Sequence, residues 1–184
     1  MNILIAYGTR YGATSSTAEE IAKVLQGEGF EVKVVNLKEE KVKDISKFEV
    51  VIIGSGMKME MWTSKAKTFL NKFSGELKKK KVAIFVSSGA RALMEYKGEN
   101  DEISRITKKY LEEKASKYDL NPISMTMFGG IWDYNQMGKI YRKFLDPEKE
   151  NFAPAGFKET EPGVYDSRNW DEIRKWAKDL ATKI

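Results

Sequence analysis

The residues from Tyr7 to Thr17 read Tyr-Gly-Thr-Arg-Tyr-Gly-Ala-Thr-Ser-Ser-Thr, a stretch rich in hydroxyls with two glycines and one arginine. That mixture suits an anion. Hydroxyls donate hydrogen bonds, glycine lets a backbone approach closely, and the first turn of a helix offers unpaired N–H groups with a partial positive charge. The stretch follows an apolar run, Ile3-Leu4-Ile5-Ala6, that reads as a buried strand. It precedes a helical pattern from Ala18 to Leu25 with Ile21, Ala22, Val24 and Leu25 on its apolar side. Strand, hydroxyl loop and helix in that order outline a phosphate site. No Gly-Lys-Ser/Thr follows at the Walker spacing, and Gly-x-Gly-x-x-Gly is absent. Taken alone, the loop also reads as an ordinary βα turn with a Ser or Thr cap.

Two other short stretches offer chemistry: Ser55-Gly56-Met57-Lys58-Met59-Glu60-Met61-Trp62 and Ser87-Ser88-Gly89-Ala90-Arg91. Neither contains a nucleophile paired with a base. The chain has no Cys and no His, which excludes thiol catalysis, Ser-His-Asp triads, haem ligation by His and most zinc sites. Redox chemistry would have to come from a bound cofactor.

The elements that position these stretches alternate. Phe30–Val35, Phe48–Gly54, Val82–Val86 and Ile123–Phe128 read as further strands. Lys38–Lys47 is a charged connector. Helical patterns begin at Thr63, with Ala66, Phe69, Leu70 and Phe73 inward, and extend over 101–117 and 135–145. A turn-rich stretch to Arg168 follows, and then a helix capped by Asn169 with Ile173, Trp176, Ala177 and Leu180 inward. Strands alternating with helices imply a parallel sheet with right-handed crossovers. The expected fold is α/β: a three-layer sandwich of a five-stranded parallel sheet, order 2-1-3-4-5, with helices on both faces, in one domain over 1–184. Ligands in such a sheet lie outside the carboxyl ends of the strands, which gathers loops 8–14, 55–62 and 87–96. A phosphoacceptor receiver domain would need acids ending the first and third strands, where Tyr7-Gly8 and Gly54-Ser55 stand. A dinucleotide-binding domain would need an acid after Val35, where Asn36 stands.

The arrangement Thr9-Arg10-Tyr11-Gly12-Ala13-Thr14 resembles the phosphate loop of the flavodoxin superfamily, with Tyr11 in place of a middle Thr. Its Thr-Arg-x-Gly-x-Thr form is similar to the branch of menaquinone-dependent protoporphyrinogen oxidases. Gly129-Gly130-Ile131-Trp132-Asp133-Tyr134 and Val164-Tyr165-Asp166-Ser167-Arg168-Asn169-Trp170-Asp171 resemble the last third of that branch. The resemblance implies FMN as cofactor. Its phosphate would sit on Thr9, Arg10, Tyr11, Gly12, Ala13 and Thr14. Its ring would lie along Ser55, Gly56, Met57, Lys58 and Met59, with Ser87, Ser88, Gly89, Ala90 and Arg91 at the pyrimidine edge and Trp132 on the same face. Gly56 would supply a peptide orientation closed to other residues. Of the three methionines in the second loop, two are expected to be core filler. Lys58 and Arg91 are candidates for tuning the flavin, with no catalytic side chain required. No metal is implied. The Pro-Thr-Arg-x-Gly of NADH-quinone reductase relatives is absent from the second loop.

Two functions follow from the resemblance. One is an FMN-dependent oxidoreductase passing electrons between an anionic, porphyrinogen-like substrate and a quinone or other acceptor. The other is a non-enzymatic flavodoxin-type electron carrier serving a redox partner protein. Such carriers are usually acidic, whereas this chain has a net charge of +5, with 15 basic against 9 acidic residues between Ser55 and Pro122. Lys78-Lys79-Lys80-Lys81 reads as a solvated edge, and no basic, aromatic-interleaved motif points to nucleic acid. No apolar run is long enough to span a membrane and no signal sequence is evident, so a cytoplasmic location is expected. Met137, Ile140, Tyr141, Phe144 and Leu145 at helical spacing, flanked by Lys139, Arg142 and Lys143, read either as a helix packed on the sheet or as an interfacial helix touching the inner face of the membrane.

Overall fold

Alternation along each strand decides the architecture. In β1 (Asn2–Gly8), Ile3, Ile5 and Tyr7 face one side of the sheet and Leu4 and Ala6 the other; in β3 (Val50–Lys58), Val50 and Ile52 oppose Val51 and Ile53. Strands apolar on both faces must be covered on both. The computed structural model, which describes residues 1–184, covers them with helices. On one side lie α1 (Ala13–Gly27), which enters between β1 and β2 (Glu31–Asn36), and the C-terminal α7 (Trp170–Ala181). On the other lie α2 (Ser64–Leu77) and the helical stretch α4 (Asn100–Thr107) to α5 (Glu113–Lys117), joined by a π-helical turn over Lys108–Glu112. Each fully buried Ile or Leu in these two layers contributes about 1.5–3 kcal/mol.

The parallel sheet runs β2-β1-β3-β5-β6, with β5 at Lys81–Ser87 and β6 at Ser124–Phe128. This is the expected order of five parallel strands, with helices on both faces. Three features depart from expectation. The second loop is largely a hairpin: β3 continues to Lys58 and turns back into β4 (Met61–Trp62), with Met59 and Glu60 at positive φ in the turn. The turn-rich stretch holds a small antiparallel sheet, β7 (Ile131–Asp133), β9 (Val164–Asp166) and β8 (Lys158–Glu161) in that order. It covers a third apolar cluster that includes Trp132, Tyr134, Met137, Phe152 and Phe157. The helix expected over 135–145 begins only at Lys139, as α6 (Lys139–Leu145), because Asp133 accepts the amides of Asn135 and Gln136 and holds them in a turn. The five residues expected on one face therefore divide. Met137 and Leu145 are buried, while Ile140 and Phe144 are 77% and 74% exposed.

α3 (Ala90–Lys97) starts directly after the third loop and ends at Gly98. No helix is long and apolar enough to cross a membrane.

Candidate functional site

The carboxyl ends of β1, β3 and β5 meet where the sheet order reverses. Parallel register sets Gly8 beside Ser55 and Gly56 beside Ser87, so the three chosen loops begin at one level. They form a narrow cleft lined by Thr9, Arg10, Tyr11, Thr14, Gly56, Met57, Ser87, Gly89, Trp132 and Tyr141, among others. Its cavity volume is about 20 Å³, room for a single water.

The helix at the cleft starts earlier than its apolar pattern. Gly12 is the N-cap, with φ 87°, a left-handed conformation that only glycine adopts without strain. Its carbonyl receives the amides of Ser15 and Ser16, and its own N–H donates to the Thr9 hydroxyl at 3.1 Å. No side chain caps this helix. The amides of Ala13 and Thr14 thus lack partners inside the helix. Thr14 lies in the first turn, almost wholly buried, and its hydroxyl has no hydrogen-bond partner. Ser87, ending β5, is buried with an unpartnered hydroxyl as well, and the Tyr11 hydroxyl makes a third. Buried polar atoms without partners are uncommon in folded proteins; of the six such side-chain atoms in this chain, these three belong to residues that line one cleft.

Gly56 serves by its size. A Cβ there would stand 3.1 Å from the Thr14 hydroxyl and 3.5 Å from the Arg10 amide, so the absent side chain lets β3 lie against the first loop. The expectation that Gly56 supplies a special peptide orientation is corrected: it is ordinary strand, and the positive φ values fall at Met59 and Glu60. The methionine expectation is also reversed. Met57 alone packs on the core, while Met59 and Met61 are exposed. The hairpin tip is tied down instead by Glu60, which accepts from Arg105 and Lys109. Those two hydrogen bonds, Arg105 first, hold its carboxyl at about 2.

Lys58 lies at the cleft mouth, its ammonium 5.6 Å from the Tyr11 ring centroid and 5.3 Å from that of Tyr141. Burial raises the Tyr141 phenol above its usual range, and the neighbouring Tyr11 adds to this. Arg91 does not join the cleft. Its guanidinium donates to Glu95 and Glu172, each at 2.7 Å, and to the Met127 carbonyl, which fixes α3 to β6 and α7. The tuning role expected for Arg91 is therefore withdrawn. Ser88 gives its amide to Phe128, and Ser55 receives the Thr63 amide; both are structural supports of the loops. Met59 and Ala90 also lie outside the cleft lining. Trp132 does line it, held by stacking on Phe157 at 4.9 Å.

One supporting residue escaped the sequence reading. Arg168 is 6% exposed and forms a fork with Asp166, with contacts at 2.9 and 2.6 Å. It also donates to the Ala13 carbonyl at 3.1 Å and to the Ser16 hydroxyl, bracing the first turn of α1. The spacing Asp166-x-Arg168 just before a capped helix was the available signal.

The flavodoxin domain family matches residues 4–146. The chain belongs to that family. No curated protein matches the sequence. Among solved structures, oxidised flavodoxin 1 from Bacillus cereus is similar at 11% identity, with a TM-score of 0.60 over 100% of this chain and 99% of that one. Oxidised flavodoxin 2 from Bacillus cereus gives 18% identity and 0.60 over both full chains. A flavodoxin from the domain Archaea gives 14% identity and 0.56, covering 100% of this chain and 98% of its own. As a flavodoxin-family electron-transfer protein, the chain has FMN as its cofactor. The residues present fit that group. A phosphate would find the partnerless amides of Ala13 and Thr14 with the Thr14 hydroxyl, and a flavin ring would find flat and soft surface at Tyr11, Met57, Trp132 and Tyr141.

Proposed function

We propose that this flavodoxin-family protein is an FMN-dependent oxidoreductase that exchanges electrons between an anionic substrate and a quinone or other hydrophobic acceptor. The observation that carries the reading is the charge of the site: Arg10 line the cleft, Lys58 stands at its mouth, and no Asp or Glu lines it. A cationic site attracts anions and stabilises added negative charge. FMN supplies the electron chemistry when bound. The chain's own residues do the rest. Thr9, Thr14 and the first amides of α1 hold the phosphate, and Gly56 and Gly89 keep the two ring loops close to their neighbours. Lys58 places a fixed positive charge beside the ring system.

The cleft is far too small for a three-ring flavin unless Tyr11, Tyr141 and Lys58 move apart. Opening of this group is the movement that admits the cofactor. The porphyrinogen-like substrate remains part of the proposal through the Thr9–Thr14 motif. Exposed Ile140 and Phe144, beside Tyr141 on α6, support contact with a hydrophobic acceptor or a membrane surface. A second reading, an electron carrier for a partner protein, is favoured by the same exposed pair together with Met59 and Met61.

Anaerobic reductive titration of the FMN-loaded protein tests the reading. The proposal expects Lys58→Glu to lower the midpoint potential while FMN stays bound, since an anion replaces a cation near the reduced ring. An unchanged potential would show that Lys58 does not serve the flavin. Rapid turnover with an acidic carrier protein and none with small anionic donors would favour the carrier.

A further inference from the structure

A second and larger cavity, about 420 Å³ in volume, shares Thr9, Arg10 and Tyr11 with the cleft. Four cations line it, Arg10, Lys38, Lys58 and Lys65, together with Thr63 and Ser64 at the start of α2. No carboxylate lines it. Lys38, Lys58 and Lys65 enter no ion pair, and the one contact of Arg10 is a 3.4 Å hydrogen bond to the Met61 carbonyl. Most basic residues of the chain form no ion pair, so what sets these four apart is that they share one concavity that no carboxylate lines. Like charges that share one concavity without counter-charges repel, and the repulsion is relieved by an anion.

The polar equipment points the same way. The Thr63 hydroxyl caps α2 by accepting from Ala66, and the carbonyl of Thr63 receives Lys67, so the amides of Ser64 and Lys65 lack partners within the helix. Tyr11 stands in the shared wall with its buried, unpartnered hydroxyl.

We propose that this cavity is an anion-binding site separate from the cleft, sharing Thr9, Arg10 and Tyr11 with it and adding Lys38 and Lys65, and that it takes a small polyanion, a dicarboxylate or a phosphate. Four cations lining one concavity fit a multiply charged anion better than a monoanion. The site deepens the proposed function by naming the chemistry of the molecule held beside the flavin. It rests on that reading for the ligand's role but not for its binding.

Calorimetric titration of the FMN-loaded protein with inorganic phosphate, and separately with succinate, at constant chloride tests the proposal. Lys38→Gln and Lys65→Gln change exposed residues outside the cleft and are expected to weaken binding about tenfold each, as loss of one charged hydrogen bond does. FMN affinity should not change, and Lys79→Gln, in the surface lysine run, should have no effect. Phosphate binding alone identifies a phosphate site and succinate binding alone a carboxylate site; either result supports the proposal. Three results overturn it: neither anion binds, Lys79→Gln weakens binding equally, or Lys38→Gln lowers FMN affinity, which would make the cavity part of the cofactor site. A colourless protein that still binds the anions would remove the flavin reading and leave the cavity standing.

Discussion

Replacing Arg168 by Met should unsettle the site without touching the cleft. In the native chain Arg168 satisfies Asp166 through two contacts, braces the Ala13 carbonyl and Ser16 hydroxyl, and lies 4.4 Å from the Trp170 ring. The Met variant leaves the Asp166 carboxylate in a nearly buried position, 12% exposed, with no cation and only the backbone amide of residue 168 as a partner. Breaking one side of such a pair costs about 3–5 kcal/mol, and the lost cation–ring contact adds about 0.5–1 kcal/mol. For a chain of this size each kcal/mol lowers Tm by about 2–4 °C, so a fall of roughly 7–24 °C is expected. Removing the acid as well, in Arg168→Met/Asp166→Leu, should restore most of the loss, because the cost lies in the orphaned charge. FMN affinity should stay lowered by about tenfold in both variants, since neither braces the first turn of α1. Calorimetric unfolding with and without FMN, and fluorescence titration of the flavin, read these quantities. A single variant within about 2 °C of the parent, or a double variant no more stable than the single, would refute the reasoning.

Other outcomes follow from the same geometry. Thr14→Ala should weaken FMN binding by about 1.5–3 kcal/mol, the worth of a hydrogen bond to a charged group, with no loss of fold; flavin fluorescence measures it, and unchanged affinity would move the phosphate elsewhere. Gly56→Val should abolish FMN binding, because its Cβ would already stand 3.1 Å from the Thr14 hydroxyl and its methyls would press further into the loop; circular dichroism would show the sheet intact. Glu60 carries a pH signature. Its folded-state value, about 2 against an ordinary 4.5, lies below that of the unfolded chain. Its stabilisation is therefore complete above pH 4.5 and lost as the pH falls through about 2. The groups are partly exposed, so the effect is under about 1 kcal/mol. Protection of the Met59–Met61 amides, exchange taken relative to the unfolded-chain rate at each pH, should fall across that window in the parent and not in Glu60→Gln.

The parallel sheet was legible because its strands are apolar on both faces, a pattern such as Val50–Ile53 that suits a covered parallel sheet. The first loop was legible because hydroxyls and glycines followed directly on such a strand. The start of α1 was not, since Ala13–Thr17 carry no amphipathic signal and are ordered by Gly12 and by Arg168 from far along the chain. The small sheet was hidden because β8, Lys-Glu-Thr-Glu, is exposed throughout and shows no alternation. The Pro162-Gly163 pair between β8 and β9, with Gly163 at positive φ, was the turn signal that marked it. The spacing of 135–145 suggested one long helix, but Asp133 turns the preceding residues aside. Arg91 looked free for the flavin because its partner Glu172 lies 81 positions away, beyond any local pattern.

The brace between Arg168 and Ala13 spans 155 positions. The segment proposed to hold the cofactor's phosphate is translated well before the residue that steadies it, and α7 docks on α1 beside it. A nascent chain can pair β1 with β2 and β3 early, but its Thr9–Thr14 loop stays unbraced until Asp166–Ala181 have emerged from the ribosome. On the proposed placement of the phosphate, flavin loading would follow synthesis of these segments, and bound FMN would report how many chains have reached that docking.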